Sequence, residues 1–176
     1  MSSVEPDWSR EKLSCWWDPR NQLLKSIRNY QKWQARGGIL GALIRRFYVL
    51  PYRFWSVVTG SEIPLNCQIG GGLLLVHPNG IVINPSASIR PNCSIMHQVT
   101  IVRNVKIGAH VFIGAGAKIV REVSIGDYAK IGANAVVLYD VPAGATAVGV
   151  PARIINLPQS ETLPTSQLET SISEKA

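Results

Sequence analysis

The sequence predicts a mainly β chain: a single-stranded parallel β-helix preceded by a short helical region and followed by a polar tail. Three observations carry this. An aliphatic residue falls on every sixth position from Ile83 to Val137, namely Ile83, Ile89, Ile95, Ile101, Ile107, Ile113, Ile119, Ile125, Ile131 and Val137. Two places before them stand Ala87, Cys93, Val99, Val105, Val111, Ala117, Val123, Ala129 and Ala135, all small or aliphatic. Upstream of residue 60 the apolar spacing becomes that of helices.

A period of six suits neither a helix nor a long strand that folds back. It suits a short strand, a corner and another short strand. Side chains alternate along a strand, so the repeated Ile and its neighbour two places earlier both point inward. Three sides close a coil of 18 residues, and successive coils stack as parallel strands about 4.8 Å apart. Glycine often follows the Ile, as at Gly108, Gly114, Gly126 and Gly132, and is read as freedom for the corner turn. About five coils are expected between Ile63 and Ile155. Ile69, Leu75 and Ile81 keep the same period but sit two residues out of phase with the series from Ile83. Two residues are therefore inserted near His77–Gly80, and insertions in a solenoid are outward loops, often on the binding face.

Residues 1–60 form the helical region. Residues 1–20, with Pro6 and Pro19, hold at most a short helix. Asn21 to Arg36 places Leu23, Leu24, Ile27, Tyr30 and Trp33 at helical spacing, and Gly37-Gly38 ends that helix. A second helix is expected over roughly Ile39–Val58, bent or broken at Pro51. The aromatic stripes of both are read as packing surface. Residues 61–155 form the β-helix, and the Pro/Ser/Thr-rich segment 156–176 is expected to be a mobile tail.

Charge is uneven. Residues 1–60 carry ten Lys/Arg against four Asp/Glu, residues 61–155 seven against four, and the tail one against three. A basic, Trp-rich N-terminus reads first as a solvated helix face and second as a peripheral contact with an anionic membrane. Nucleic acid comes last, because no aromatic-plus-basic motif accompanies the charge. Arg45, Arg46 and Arg53 interrupt the most apolar stretch, so it can lie on a membrane but not cross one. Three cysteines without metal or redox spacing, and a start without an apolar leader, point to the cytoplasm, at or near the inner membrane surface.

The hexapeptide run resembles the left-handed β-helix acyltransferases. The strings EIPLNCQIGGGLLLVHPNGIVI (62–83), SIMHQVTI (94–101), IGAGAKIV (113–120), IGANAVV (131–137) and DVPAGATAVGVPARII (140–155) narrow this to the serine acetyltransferase group and its capsule- or colanic-acid-type sugar-acetylating relatives. That resemblance implies an acetyl-CoA-dependent O-acetyltransferase acting on a sugar of a polysaccharide precursor or on L-serine. It implies His77 of VHPNG as general base, with Glu62, fifteen residues earlier, as its paired carboxylate. Such chemistry needs an imidazole to take the hydroxyl proton and a carboxylate to fix its tautomer. It also implies acceptor binding or packing for His97, coenzyme contacts at Ala115 and Ala133, and a phosphate contact for Arg153. No metal and no covalent acyl-enzyme are implied. A homotrimer is expected, because flat-sided prisms leave clefts only where they meet.

Three departures weaken serine as acceptor. Val76 precedes His77 where serine acetyltransferases have an aspartate. VTIVRNVKIG (99–108) runs on without their glycine-rich Arg-His loop. The final residue is not the isoleucine that docks cysteine synthase, so that partner is not supported. Two rival classes stay open: a γ-carbonic-anhydrase-like zinc enzyme, which would need three histidines from His77, His97 and His110, and a non-catalytic scaffold. His110 reads as surface and Cys93 as core.

Overall fold

A computed structural model describes residues 4–155; the tail from Asn156, read above as mobile, lies outside them. Two helices precede a left-handed parallel β-helix with three faces. The first face stacks β1 (Gln68–Ile69), β4 (Ser88–Ile89), β7 (Lys106–Ile107) and β10 (Ser124–Ile125). The second stacks β2 (Leu74–Leu75), β5 (Ser94–Ile95), β8 (Phe112–Ile113), β11 (Lys130–Ile131) and β13 (Thr146–Val148), and closes with antiparallel β14 (Arg153–Ile155). The third stacks β3 (Val82–Ile83), β6 (Thr100–Ile101), β9 (Lys118–Ile119) and β12 (Val136–Val137). Four coils are complete. The expected fifth is only begun by β13 and by the bridge of Val141 to Ile125, because the chain then turns back as β14.

All ten residues of the Ile83–Val137 series are buried, at 3% exposure or less, and the nine residues two places before Ile89 to Val137 are buried at 5% or less. Ladder bonds run along the axis, as from the Ser94 amide to the Val111 carbonyl (2.9 Å) and the Thr100 amide to the Ala117 carbonyl (3.0 Å). Ile81 is buried as the inward residue two places before Ile83. It does not continue the Ile69–Leu75 series as a strand of its own.

The corner glycines play a different part from the expected one. Gly108, Gly114, Gly126 and Gly132 do not have positive φ. A Cβ on Gly114 would stand 2.6 Å from the Ala133 amide nitrogen, and one on Gly108 would stand 2.6 Å from that of Asp127. They are small because the next coil lies against them. The left-handed positions come two residues later and mostly hold side chains: Asn92, Gln98, Asn104, His110, Tyr128 and Asn134, with φ between 55° and 65°. Asn tolerates that region best.

Helix α1 (Pro19–Arg36) starts two residues before the expected Asn21, because Asp18 caps it and Pro19 fits its first turn. Burial works against the Asp18 charge. Hydrogen bonds from the Ser14 amide and hydroxyl and the Asn21 amide outweigh it and hold the carboxyl below its ordinary value. Leu23, Leu24 and Ile27 are buried; Tyr30 and Trp33 are half-exposed. The α1 side chains meet the first coil at its open end. Arg28 donates to the carbonyls of Ile69 (2.5 Å) and Gly70 (2.6 Å), and Gln31 to those of Leu65 (3.0 Å) and Cys67 (2.9 Å). Glu11 pairs with Arg28 (2.8 Å) and accepts the Leu73 amide (3.0 Å).

Helix α2 (Gly38–Thr59) runs unbroken through Pro51, which only deletes a bond to the Phe47 carbonyl. Gly41 lets α2 approach α1, since a Cβ there would stand 2.9 Å from the Trp33 carbonyl oxygen. The aromatics of α2 divide: Trp55 is buried in the core and Tyr52 packs against it, whereas Phe47 and Phe54 are more than half exposed.

Candidate active site

The site is built at the corner between the second and third faces. On one side of it, the Val76 amide donates to the Ile95 carbonyl (2.9 Å), Met96 to Ile113 (3.0 Å), and Gly114 to Ile131 (2.8 Å). Val76, Met96, Gly114 and Gly132 therefore form one column. On the other side the Gln98 amide donates to the Asn79 carbonyl (2.7 Å), Gly116 to His97 (2.9 Å), and Asn134 to Ala115 (2.8 Å). Asn79, His97, Ala115 and Ala133 form the next column. His77 and Pro78 are the two residues left over, and so they are the insertion that the phase break announced.

His77 is thereby pushed out of the wall. Its φ of 49° and a bond from the Asn79 amide back to its carbonyl (2.7 Å) make a tight outward turn, and its side chain is exposed. The bulge is stitched to the segment that follows α2. The Gly80 amide donates to the Gly60 carbonyl (3.0 Å), the Ser61 hydroxyl to the Pro78 carbonyl (3.0 Å), and the Glu62 amide to the Ile81 carbonyl (2.7 Å). Glu62 thus stands on the third face beside Val82, at the flank of the bulge. Among the described residues no ion pair or hydrogen bond links the Glu62 and His77 side chains. Glu62 does face Tyr52: burial, and then the neighbouring Glu62 charge, push the Tyr52 phenol above its ordinary value.

His97 sits on the edge directly beyond Asn79, and its Nδ1 is buried without a partner among the described residues. A polar atom left so costs stability unless a ligand meets it. Ala115 and Ala133 follow one and two coils further on. Among the described residues, the amides of His97, Ala115 and Ala133 donate to no protein acceptor, so the edge carries small side chains beside free N–H groups. Arg153 pairs with Val148, which continues the register of Gly132 by one coil, and it is exposed at the far end of the same edge. Five of the six residues singled out from the sequence thus share one edge, with Glu62 on its flank. His110 is at another corner, stacked on Tyr128 with centroids 4.7 Å apart. Among the described residues no cluster of three His, Cys, Asp or Glu could hold a metal.

Asn79, Ser61 and Tyr52 were missed. The 18-residue spacing from Asn79 to His97 could have revealed the first. Nothing in the sequence ties Tyr52 to Glu62, because the packing of α2 brings the Glu62 charge near the phenol.

Residues 104–138 match the family model for the bacterial transferase hexapeptide (six repeats). The coils carry the repeats that this model describes. Beyond them the chain is similar to serine acetyltransferases. It is 43% identical over 114 residues to the serine acetyltransferase of Escherichia coli K12, a stretch that covers 60% of this chain and 42% of the relative. A solved serine acetyltransferase in complex with CoA superposes with a TM-score of 0.67 at 35% identity, covering 80% of this chain and 58% of that one. Soybean serine acetyltransferase complexed with serine gives 0.64 at 33%, covering 78% and 57%. The chain matches less than two thirds of the length of each of these relatives.

Proposed function

We propose that this protein is an acetyl-CoA-dependent O-acetyltransferase that uses His77 as general base on a hydroxyl acceptor. The observation that carries the reading is the edge itself. An exposed histidine on a two-residue bulge heads a line of free amides and small side chains that ends at an arginine. Five strand steps, from β2 to β14, separate the two ends, roughly 24 Å at strand spacing. An edge of that length can carry an extended coenzyme A. The family resemblance and the CoA-bound relative support the same donor.

Acetyl-CoA supplies the acyl group as a thioester. His77 takes the acceptor hydroxyl proton as its oxygen attacks, and returns it to the departing thiolate. Glu62 favours the transient imidazolium by its charge. The edge amides, at Ala115 and Ala133, lie along the coenzyme arm, and Arg153 meets its phosphates. His97 presents its imidazole one coil from the base, where the acceptor enters. Two acceptors fit a hydroxyl site: L-serine, on the similarity to serine acetyltransferases, and a sugar of a polysaccharide precursor, on the apolar Val76 beside the base. A homotrimer would close a second wall over each edge. Thiol release from acetyl-CoA with serine, nucleotide sugars and oligosaccharides tests the reading. Release with none of them, together with no CoA binding in calorimetry, would leave a scaffold.

A further inference from the structure

Helix α2 leaves a long apolar stripe bare. Leu40, Leu43, Phe47, Leu50, Phe54 and Val57 recur at steps of three and four, so they share one face, and each is 53 to 81% exposed. The stripe follows a helix about 33 Å long. At its C-terminal end the aromatic rings form a chain. Phe54 meets Trp55 at 5.0 Å, Trp55 meets Trp17 at 5.3 Å, and Trp17 meets Trp16 at 5.4 Å, with Trp16 77% exposed.

The charge around the stripe decides what covers it. Between Pro19 and Thr59 there are eight Lys/Arg and no Asp or Glu. Arg46 and Arg53 immediately precede Phe47 and Phe54 and so flank the stripe. Among the described residues no helix is long and apolar enough to cross a membrane. We infer that this face of α2 lies on an anionic lipid surface. A second copy would bury the stripe against another acid-free hairpin and set arginine against arginine. A bilayer boundary accepts both features: the apolar stripe enters the acyl region and the arginines meet phosphate groups. Tryptophan, apolar with one donor, suits the water–lipid boundary that the Trp16–Trp17 cluster would occupy. The inference rests on the N-terminal helical region and does not depend on acetyl transfer.

Cosedimentation of the full chain with vesicles tests it. The protein should pellet with phosphatidylcholine–phosphatidylglycerol vesicles and stay in solution with phosphatidylcholine alone. Phe47→Ser/Leu50→Ser should abolish pelleting. Arg46→Ala/Arg53→Ala should weaken partition about 25-fold, roughly fivefold for each cation near an anionic surface. An unchanged helical circular dichroism signal keeps the comparison valid, since all four side chains point out of the fold. Equal pelleting of wild type and Phe47→Ser/Leu50→Ser would overturn the inference, as would no pelleting of wild type at all. So would a smaller particle by light scattering for Phe47→Ser/Leu50→Ser, which would make the stripe a seam between copies.

Discussion

The carbonyl of Asn79 accepts the amide of Gln98 at 2.7 Å, and this bond returns the ladder to register after the outward turn at His77 and Pro78. The wall is therefore complete without those two residues. Deleting both should restore an 18-residue coil. The Ser61–Pro78 bond and the Asn79–His77 turn bond are lost, about 2 kcal/mol together, so the thermal midpoint should move by less than about 10 °C. Acetyl transfer should vanish. A deletion protein that is unfolded by circular dichroism would show that the bulge belongs to the frame.

Replacing His77 by Ala should lower kcat at least about 100-fold and leave CoA affinity unchanged, because the proton acceptor goes while the coenzyme edge stays. Glu62→Gln should cost less, since the base remains. The two losses should not add in the double mutant if the residues act as one unit. Steady-state kinetics with an identified acceptor decides it, and near-normal turnover in His77→Ala would end the mechanism.

Two substitutions separate the kinds of corner residue. Gly114→Ala drives a Cβ into the next coil and should cost about 1–3 kcal/mol in denaturant unfolding, although its φ is ordinary. Asn134→Gly, at φ 55°, should change stability by less than about 1 kcal/mol, because relief of the left-handed strain offsets the added freedom of the unfolded chain.

Burial pushes the Cys67 and Cys93 thiols from their ordinary 9.0 to about 11. The fold favours the neutral thiol, so this contribution is whole below pH 9 and is lost as pH rises towards 11. Thermal midpoints should fall across that window, and less steeply in Cys93→Ala, measured against that variant's own value at pH 8. At pH 8 a thiol reagent should label exposed Cys15 at once and the other two only as the chain opens.

The solenoid was legible because Ile83 to Val137 repeats within sight of itself, one inward residue per strand. The glycine role was not, since Gly114 answers to Ala133, nineteen residues away and in the next coil. The phase break located the insertion to within a few residues, but only the ladder identifies His77 and Pro78. The same residues show the limit for the site. His97, Ala115 and Ala133 share an edge because they share an 18-residue spacing, whereas the approach of Tyr52 to Glu62 depends on how α2 meets the first coil. Pro51 misled in the other direction: one missing donor was read as a bend or break, and the flanking turns carry the helix past it.

A stack of parallel coils has no natural last member, because each rung offers the next the same row of donors and acceptors. Arg28 and Gln31 spend four carbonyls of the first coil on side chains that no further coil could imitate. At the other end β14 runs against β13 and reverses the pattern. The chain is thus capped against end-to-end growth into fibres by features outside its repeat, and a protein cut back to its coils alone would offer a bare template at its first rung.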